Sequence, residues 1–174
     1  MKNVLEWAKE IIIAVIIAAI ILTFIKPIIV RQSSMEPTFY NGDYIFISKQ
    51  SYTLFGDVER GDVVVFHTRL QDDNNEDKNL IKRVIGLPGD TVEIVDGYVY
   101  IDGELLDEPY VMEEGISGDM EPVTVPEGQI FAMGDNRRVS QDSRDPVIGC
   151  IDEDEILGKV VMRIYPFSEF EIFS

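Results

Sequence analysis

The chain has few of the residues that usually mark redox chemistry, metal binding or histidine catalysis. Its 174 residues include one cysteine and one histidine. A single cysteine excludes an intramolecular disulfide, and we expect Cys150 to be a small buried residue. No cluster of histidine, cysteine or carboxylate residues has the spacing of metal ligands, so the sequence predicts no metal and no cofactor.

Positive charge is also scarce. The chain has 15 basic residues against 32 acidic ones, which gives a formal net charge of −17. This balance argues against nucleic-acid binding, which needs a basic surface. The acidic residues are spread along the sequence except in the run from Asp72 to Asp77. The spacing of that run fits no calcium loop, and we interpret it as a solvated loop.

One long hydrophobic run lies near the N-terminus. Residues Ile11 to Ile25 carry no charge, and the apolar stretch continues past Lys26 to Val30. If Lys26 snorkels, the stretch has about the 20 residues that a membrane span needs. A cleavable secretory signal would have a basic start and a small-residue cleavage site, and a buried core helix would keep a polar face. The sequence therefore predicts a tail and membrane anchor in residues 1–30 and one further domain in 31–174. The flanking charges do not decide its orientation.

After the anchor the pattern changes to short strands. Continuous apolar runs such as Val63 to Phe66 are typical of strands that are covered on both faces, and alternating runs are typical of half-buried strands. The aspartate-glycine pairs at 96–97 and 102–103 indicate tight hairpin turns. The strands predicted in this way are Tyr44–Ile47, Val63–Phe66, Thr91–Val95, Tyr98–Ile101, Gln129–Met133 and Gly158–Tyr165.

The rest of the pattern supports a mainly β domain. No apolar run of helical period predicts a second helix, and there is no internal repeat. Residues 115–119 (Gly-Ile-Ser-Gly-Asp) indicate a surface loop. The aromatic C-terminal run, 165–173, is interpreted as an edge strand that packs onto the core, although contact with a bilayer is the alternative.

Two short runs suggest serine chemistry without histidine. A serine hydroxyl needs a base, and a lysine amine serves if apolar surroundings lower its pKa. Lys82 has apolar neighbours, Ile81 and the Val84-Ile85 pair, and Ser33 and Ser34 are adjacent candidates for the nucleophile. The alternatives are an ordinary turn serine and a surface lysine whose stem covers a strand edge. If Lys82 faces inward, Arg83 points to the opposite face and is free to pair with a carboxylate.

Four blocks in order resemble the bacterial type I signal peptidases, which are membrane-anchored Ser–Lys proteases. The resemblance implies an antiparallel, coiled β-sheet catalytic domain that removes signal peptides outside the cytoplasmic membrane. The blocks are Ser34-Met35-Glu36-Pro37-Thr38, Arg60-Gly61-Asp62-Val63-Val64-Val65-Phe66, Ile81-Lys82-Arg83 through Gly89-Asp90, and Gly134-Asp135-Asn136-Arg137 running on to Ser140, Asp142, Ser143 and Arg144.

The resemblance also implies roles for single residues. Ser34, directly before the methionine, would be the nucleophile, and Lys82 would be its base. Ser140 would help to orient the lysine amine. Asp142 and Arg144 would form a charged pair that holds this region, with Arg83 as a possible partner.

The resemblance also bears on the oxyanion hole and on the choice of base. The oxyanion hole would use the Ser34 backbone N–H, with Gln32 or another N–H as second donor. His67 competes as base, but the histidine of eukaryotic relatives falls at the position of Lys82. The sequence departs from the common pattern at Arg138-Val139, where the family usually has Asp-Asn.

The implied substrates are secretory preproteins with small residues one and three positions before the cut. Candidate pocket walls, each equally plausible as core, are Ile28, Val30, Phe39 and Ile81. The implied partners are these preproteins and the lipid bilayer, with no nucleic acid and no metal. The rival interpretations are a membrane-tethered β-domain that binds a secreted partner and a processing peptidase with one dedicated client. Because every residue of the proposed site is present, an inactive relative is disfavoured.

Overall fold

In the computed structural model, two antiparallel β-sheets follow an N-terminal helix. The structure describes residues 2–54, 56–71, 77–112 and 118–173. Helix α1 covers Lys2–Phe24 and a short helix α2 covers Ser51–Leu54, with 3₁₀ turns at Glu153–Glu155 and Phe167–Glu169. The strands are β1 Ile25–Ile29, β2 Tyr44–Ser48, β3 Val63–Gln71, β4 Asp77–Gly86, β5 Thr91–Val95, β6 Tyr98–Ile101, β7 Glu104–Leu105, β8 Met120–Thr124, β9 Gln129–Met133, β10 Ile151–Asp152, β11 Ile156–Tyr165 and β12 Glu171–Ile172.

The N-terminal helix is apolar and stands free of the domain. Among the described helices it alone is long and apolar enough to cross a bilayer, over Glu6–Phe24, and its described side chains are exposed. The prediction that one apolar span reaches Val30 is wrong after Phe24, because Ile25–Ile29 forms strand β1 beside β2. Pro27 explains the change, since proline breaks a helix and pushes the preceding residue into extended backbone.

The larger sheet carries most of the domain. Its strands run in the order β1-β2-β11-β3-β4-β9-β10, and β12 pairs with the free side of β11. The smaller sheet has the order β7-β6-β5-β8. The turns between β5, β6 and β7 contain Asp96 and Asp102 at φ values of 50° and 52°, each followed by a glycine with positive φ. These are the hairpins that the aspartate-glycine pairs predict, so the mainly β, antiparallel fold class is confirmed.

The central strands are covered on both faces. All four residues of Val63 to Phe66 are buried, and they alternate between two core clusters. Complete burial of one such aliphatic side chain is worth about 1.5–3 kcal/mol. The same expectation for Tyr44–Ile47 is wrong, because Ile45 and Ile47 are buried whereas Tyr44 is exposed. Strand β2 lies one strand from the sheet edge, where the outer face stays open to solvent.

The ends and short strands were less visible in the sequence. Strand β8 contains Glu121 and Pro122 and has mostly exposed positions, so no apolar pattern marks it. The predicted strand is present, because β12 pairs with β11 and Phe173 packs on the first core cluster. Phe167, Phe170 and Ile172 are exposed, so bilayer contact stays the alternative. The predicted loops at 72–77 and 115–119 fall mainly outside the described residues, which exclude 72–76 and 113–117.

Candidate active site

Ser34 stands on a tight turn of residues 33–39, here called the nucleophile turn, which packs on the core. The turn is closed by two backbone hydrogen bonds, from the Glu36 N–H to the Ser33 carbonyl at 3.2 Å and from the Phe39 N–H to the Met35 carbonyl at 2.8 Å. Met35 and Phe39 are fully buried in the first core cluster. Because these two buried side chains and the backbone hydrogen bonds fix the turn, Ser34, which is 5% exposed, has little freedom to move.

Lys82 brings an amine to that serine from strand β4. Alternate strand residues share a face, so Lys82 lies between Leu80 and Val84, both of which belong to the second core cluster. The lysine is fully buried. Its Nζ donates hydrogen bonds to Ser34 Oγ at 2.8 Å and to the Ile81 carbonyl at 3.0 Å. The structure therefore places the two predicted residues in direct contact, 48 positions apart in the sequence.

The surroundings make the amine easier to deprotonate. Burial is the main cause that lowers the pKa of Lys82 to about 8, and the positive charges of Lys78 and Arg144 lower it further. The Asp142 and Asp135 carboxylates act in the opposite direction. A group with a pKa near the working pH is suited to take up and return a proton.

The loop after β9, residues 134–150, packs against the turn that carries Ser34. Asp142 is fully buried at its side chain and pairs with Arg144, with Nε 2.7 Å from Oδ1. Its other oxygen accepts hydrogen bonds from the Gly134 N–H at 2.9 Å and from Ser140 Oγ at 2.6 Å. Burial alone would raise the pKa of Asp142, but Arg144 and these two donors hold it below its usual value. The expected charged pair is therefore present in the structure, and its effect on activity stays a prediction.

Ser140 lies beside Gly134 and bonds to Asp142. Its hydroxyl donates to Asp142, whereas Lys82 Nζ donates to Ser34 and Ile81. Orientation of the amine by Ser140 thus stays a prediction. The three segments meet at Gly134, where a side chain would overlap Ser140 Oγ and the Ser34 carbonyl. A glycine is therefore required for this loop to approach the nucleophile turn so closely.

Arg83 points away from Lys82, as consecutive strand residues do. It forms a bidentate ion pair with Asp135, with Nη2 2.7 Å from Oδ2 and Nε 2.9 Å from Oδ1. The expected carboxylate partner of Arg83 is therefore Asp135, and the suggested partnership with Asp142 and Arg144 is wrong, because those two pair with each other. Asp135 also accepts a hydrogen bond from the Thr38 hydroxyl, so it ties the nucleophile turn to β4. The sequence blocks contain Asp135 and Thr38, but nothing in their spacing revealed this contact.

A cleft of about 460 Å³ opens beside Ser34. Gln32 is half-buried at its wall, and its part in an oxyanion hole stays a prediction. The cleft is lined by Arg31, Gln32, Ser33, Ser34, Asn41, Lys78, Leu80, Val139 and Gln141.

The four candidate pocket residues all pack in the first core cluster. Val30 and Phe39 are buried members of it, at 2% and 0% exposure. Ile28 and Ile81 are only partly buried against it and so retain surface that a substrate could reach. The substrate role stays a prediction, and Ile28 and Ile81 are its better-placed candidates.

Two other residues singled out in the sequence lie apart from this chemistry. His67 is an exposed residue of β3 that faces Asn79 across the ladder. Cys150 is half-buried rather than buried, because it packs at the margin of the third core cluster. Burial still raises the pKa of its thiol.

A serine hydroxyl held by a buried amine on an antiparallel β domain is an arrangement found in serine-type peptidases. The model of the family described as signal peptidase, peptidase S26, matches residues 4–165. The chain belongs to this signal peptidase family.

Individual relatives agree over nearly the whole chain. Signal peptidase I S of Bacillus subtilis strain 168 is 40% identical over 97% of this chain and 92% of its own length. Signal peptidase I of Bacillus licheniformis is 39% identical with the same coverage, and signal peptidase IB of Staphylococcus aureus strain COL is 38% identical over 98% and 94%. The protein in the crystal structure of a signal peptidase I from Enterococcus faecalis V583 is 32% identical in sequence to this chain. The match covers 59% of this chain and 96% of the Enterococcus chain, with a TM-score of 0.49.

Proposed function

We propose that the protein is a membrane-bound serine endopeptidase that removes N-terminal signal peptides from secreted preproteins. The cut follows a small-x-small motif and proceeds through a Ser34–Lys82 dyad and an acyl-enzyme. The observation that carries the proposal is the 2.8 Å hydrogen bond between Lys82 Nζ and Ser34 Oγ at a buried position. Relatives named signal peptidase I supply the class of substrate.

Both half-reactions balance within the dyad. Neutral Lys82 takes the Ser34 proton as Oγ attacks the scissile carbonyl, and the amide N leaves with that proton when the C–N bond breaks. Water then attacks the ester, Lys82 takes a proton from the water, and Ser34 Oγ regains it as the acid product leaves. The oxyanion is stabilised by the Ser34 N–H, with Gln32 as the second candidate donor.

Supporting groups hold the dyad during these steps. Asp142 fixes Arg144, Ser140 and the Gly134 N–H at once, so it holds the loop after β9 together. That loop contacts the Ser34 turn through the Asn136 N–H, which donates to the Ser34 carbonyl. Ser140 is placed to act on the amine through Asp142. Ile28 and Ile81 flank the path of an extended substrate, and their bulk would exclude large side chains next to the cut.

The helix places this chemistry at a bilayer. Residues Glu6–Phe24 cross the membrane, and the catalytic domain that begins with β1 lies on the extracytoplasmic side, where secreted chains emerge. Its partners are preproteins and lipid, with no nucleic acid and no metal. The site sits on a domain tied to the membrane by strand β1, so a substrate anchored in the same bilayer reaches Ser34 without dissociating.

The full chain in detergent should cleave a purified preprotein once, and sequencing of the product N-terminus should place the cut after small-x-small. A preprotein with leucine in place of the alanine directly before the cut should be processed at least about 100-fold more slowly, because a small pocket excludes the extra atoms. Cleavage of both preproteins at equal rates would contradict the specificity. No cleavage by folded protein would favour a dedicated client or a tethered binding domain.

The pH dependence tests the base. Since the amine must be neutral to accept a proton, kcat/KM should rise with pH through a midpoint of about 8, the pKa of Lys82. Removing the Asp142 charge with Asp142→Asn should move the midpoint to lower pH, because Asp142 raises that pKa. Lys78→Gln should move it to higher pH, because Lys78 lowers it. Midpoints that stay equal in both variants would argue against Lys82 as the titrating group.

A further inference from the structure

Arg163 of β11 joins the C-terminal segment to the nucleophile turn. Its side chain is largely buried, and each nitrogen of the guanidinium has a partner. Nε donates to the Glu169 carbonyl at 2.7 Å, and Nη2 donates to the Glu171 carboxylate at 2.9 Å. Nη1 donates to the Thr38 carbonyl at 2.7 Å, across 125 residues of sequence.

Thr38 ends the turn that carries Ser34, and it is held from two sides. Its hydroxyl donates to Asp135, and its carbonyl accepts from Arg163. The turn between them is closed by its own backbone bonds, so it moves as one unit. A shift at Thr38 would therefore be transmitted to Ser34, four residues earlier.

The contact is part of a wider attachment. The Arg163 guanidinium lies 5.6 Å from the centre of the Phe39 ring, and Phe39 contacts the Phe173 ring at 5.0 Å. Asp43 Oδ2 lies 3.5 Å from Nη1 and also accepts a hydrogen bond from the Tyr40 N–H. Arg163 is thus the polar centre of the packing between the C-terminal segment and the turn.

We propose that Arg163 is a positioning residue for Ser34, which acts through the carbonyl of Thr38. The inference rests on the proposed function, since it assigns Arg163 a part in that reaction. The dyad hydrogen bond has little tolerance, because a displacement of about 1 Å at a catalytic group lowers the rate about 100-fold. Arg163 does not touch the dyad, so it affects the placement of Ser34 and not the proton affinity of Lys82.

The test compares Arg163→Met, Arg163→Lys and the control Glu171→Gln in the full chain in detergent. Arg163→Met should lower kcat about 10- to 100-fold with KM within about 3-fold, because the turn is misplaced and substrate binding is not. The midpoint of the pH profile should stay at about 8. Arg163→Lys, which keeps one donor, should recover part of the loss, and Glu171→Gln, which leaves the Thr38 contact, should stay within about 2-fold of the parent.

Hydrogen exchange gives a readout that needs no substrate. In Arg163→Met, or in Arg163→Lys if the first variant does not fold, the amides of residues 34–36, 38 and 39 should exchange faster while those of β5 and β6 do not change. Unchanged protection at 34–39, or an equal loss of activity in Glu171→Gln, would overturn the proposal. If the parent chain cleaves no preprotein, the proposed function fails, and exchange at 34–39 still decides whether Arg163 holds the Ser34 turn.

Discussion

Replacing Ser34 with alanine or Lys82 with methionine should lower kcat/KM for preprotein cleavage by at least about 10⁴-fold. Each change removes one end of the 2.8 Å hydrogen bond, and the proposed reaction needs both the hydroxyl and the neutral amine. The double variant should be no worse than either single one, because the two groups act as a unit. The measurement is cleavage of one preprotein by equal amounts of folded enzyme.

The stability of Lys82→Met is a control with a defined sign. In the folded protein the pKa of Lys82 is about 8, against 10.5 for an ordinary lysine. The folded state therefore binds the proton less tightly than the unfolded state does. This difference lowers the free energy of unfolding by about 3 kcal/mol below pH 8, and the penalty disappears as the pH rises from 8 to 10.5. We expect Lys82→Met to be more stable than the parent at pH 7 and this advantage to shrink towards pH 10.5. Retained cleavage in a variant without Lys82 would refute the dyad.

Asp135→Ala should destabilise the domain by about 3–5 kcal/mol, because it leaves the Arg83 guanidinium buried without its carboxylate. Asp135 has no exposed side-chain surface and Arg83 has 12%, and the pair is bidentate. The loss of the Thr38 contact adds to the effect. Urea unfolding at neutral pH measures the difference in the free energy of unfolding.

The matched control is Glu171→Gln, which removes the ion pair between Glu171 and Arg163. Its N–O distance of 2.9 Å is similar to that of the Arg83–Asp135 pair, but the Glu171 side chain is 51% exposed. An exposed pair of this kind should cost at most about 1 kcal/mol. Arg83→Met combined with Asp135→Leu should regain part of the stability lost in Asp135→Ala, because no charge is then left buried. Equal destabilisation by Asp135→Ala and Glu171→Gln would show that burial of the Arg83–Asp135 pair is not the cause.

Local pattern accounts for much of the domain. The β5–β6 hairpin follows from Asp96-Gly97. Both central residues of such a turn need positive φ, which glycine, asparagine and aspartate adopt more readily than other residues. The opposite directions of Lys82 and Arg83 follow from the two-residue period of a strand. These features depend on neighbours in sequence, and both are present in the structure.

Features that join distant segments had no such signal. The pairing of β1 with β2 joins residues 25–29 to residues 44–48, and the apolar continuity of the run to Val30 did not reveal it. Asp135, and not Asp142, is the partner of Arg83, 52 positions away in the sequence, and Asp142 pairs with Arg144 instead. Arg163 reaches Thr38 across 125 residues of sequence, from a strand that pairs with β2.

The sequence by itself determined the strand periods, the tight turns, the apolar helix and the residue types of the site, because these are set by backbone sterics and by hydrophobicity over a few neighbours. The tertiary structure decided which carboxylate met which cation, how deeply Lys82 was buried and what held the Ser34 turn. Those outcomes depend on solvent exclusion and on contacts between segments far apart in the chain, which exist only in the folded domain.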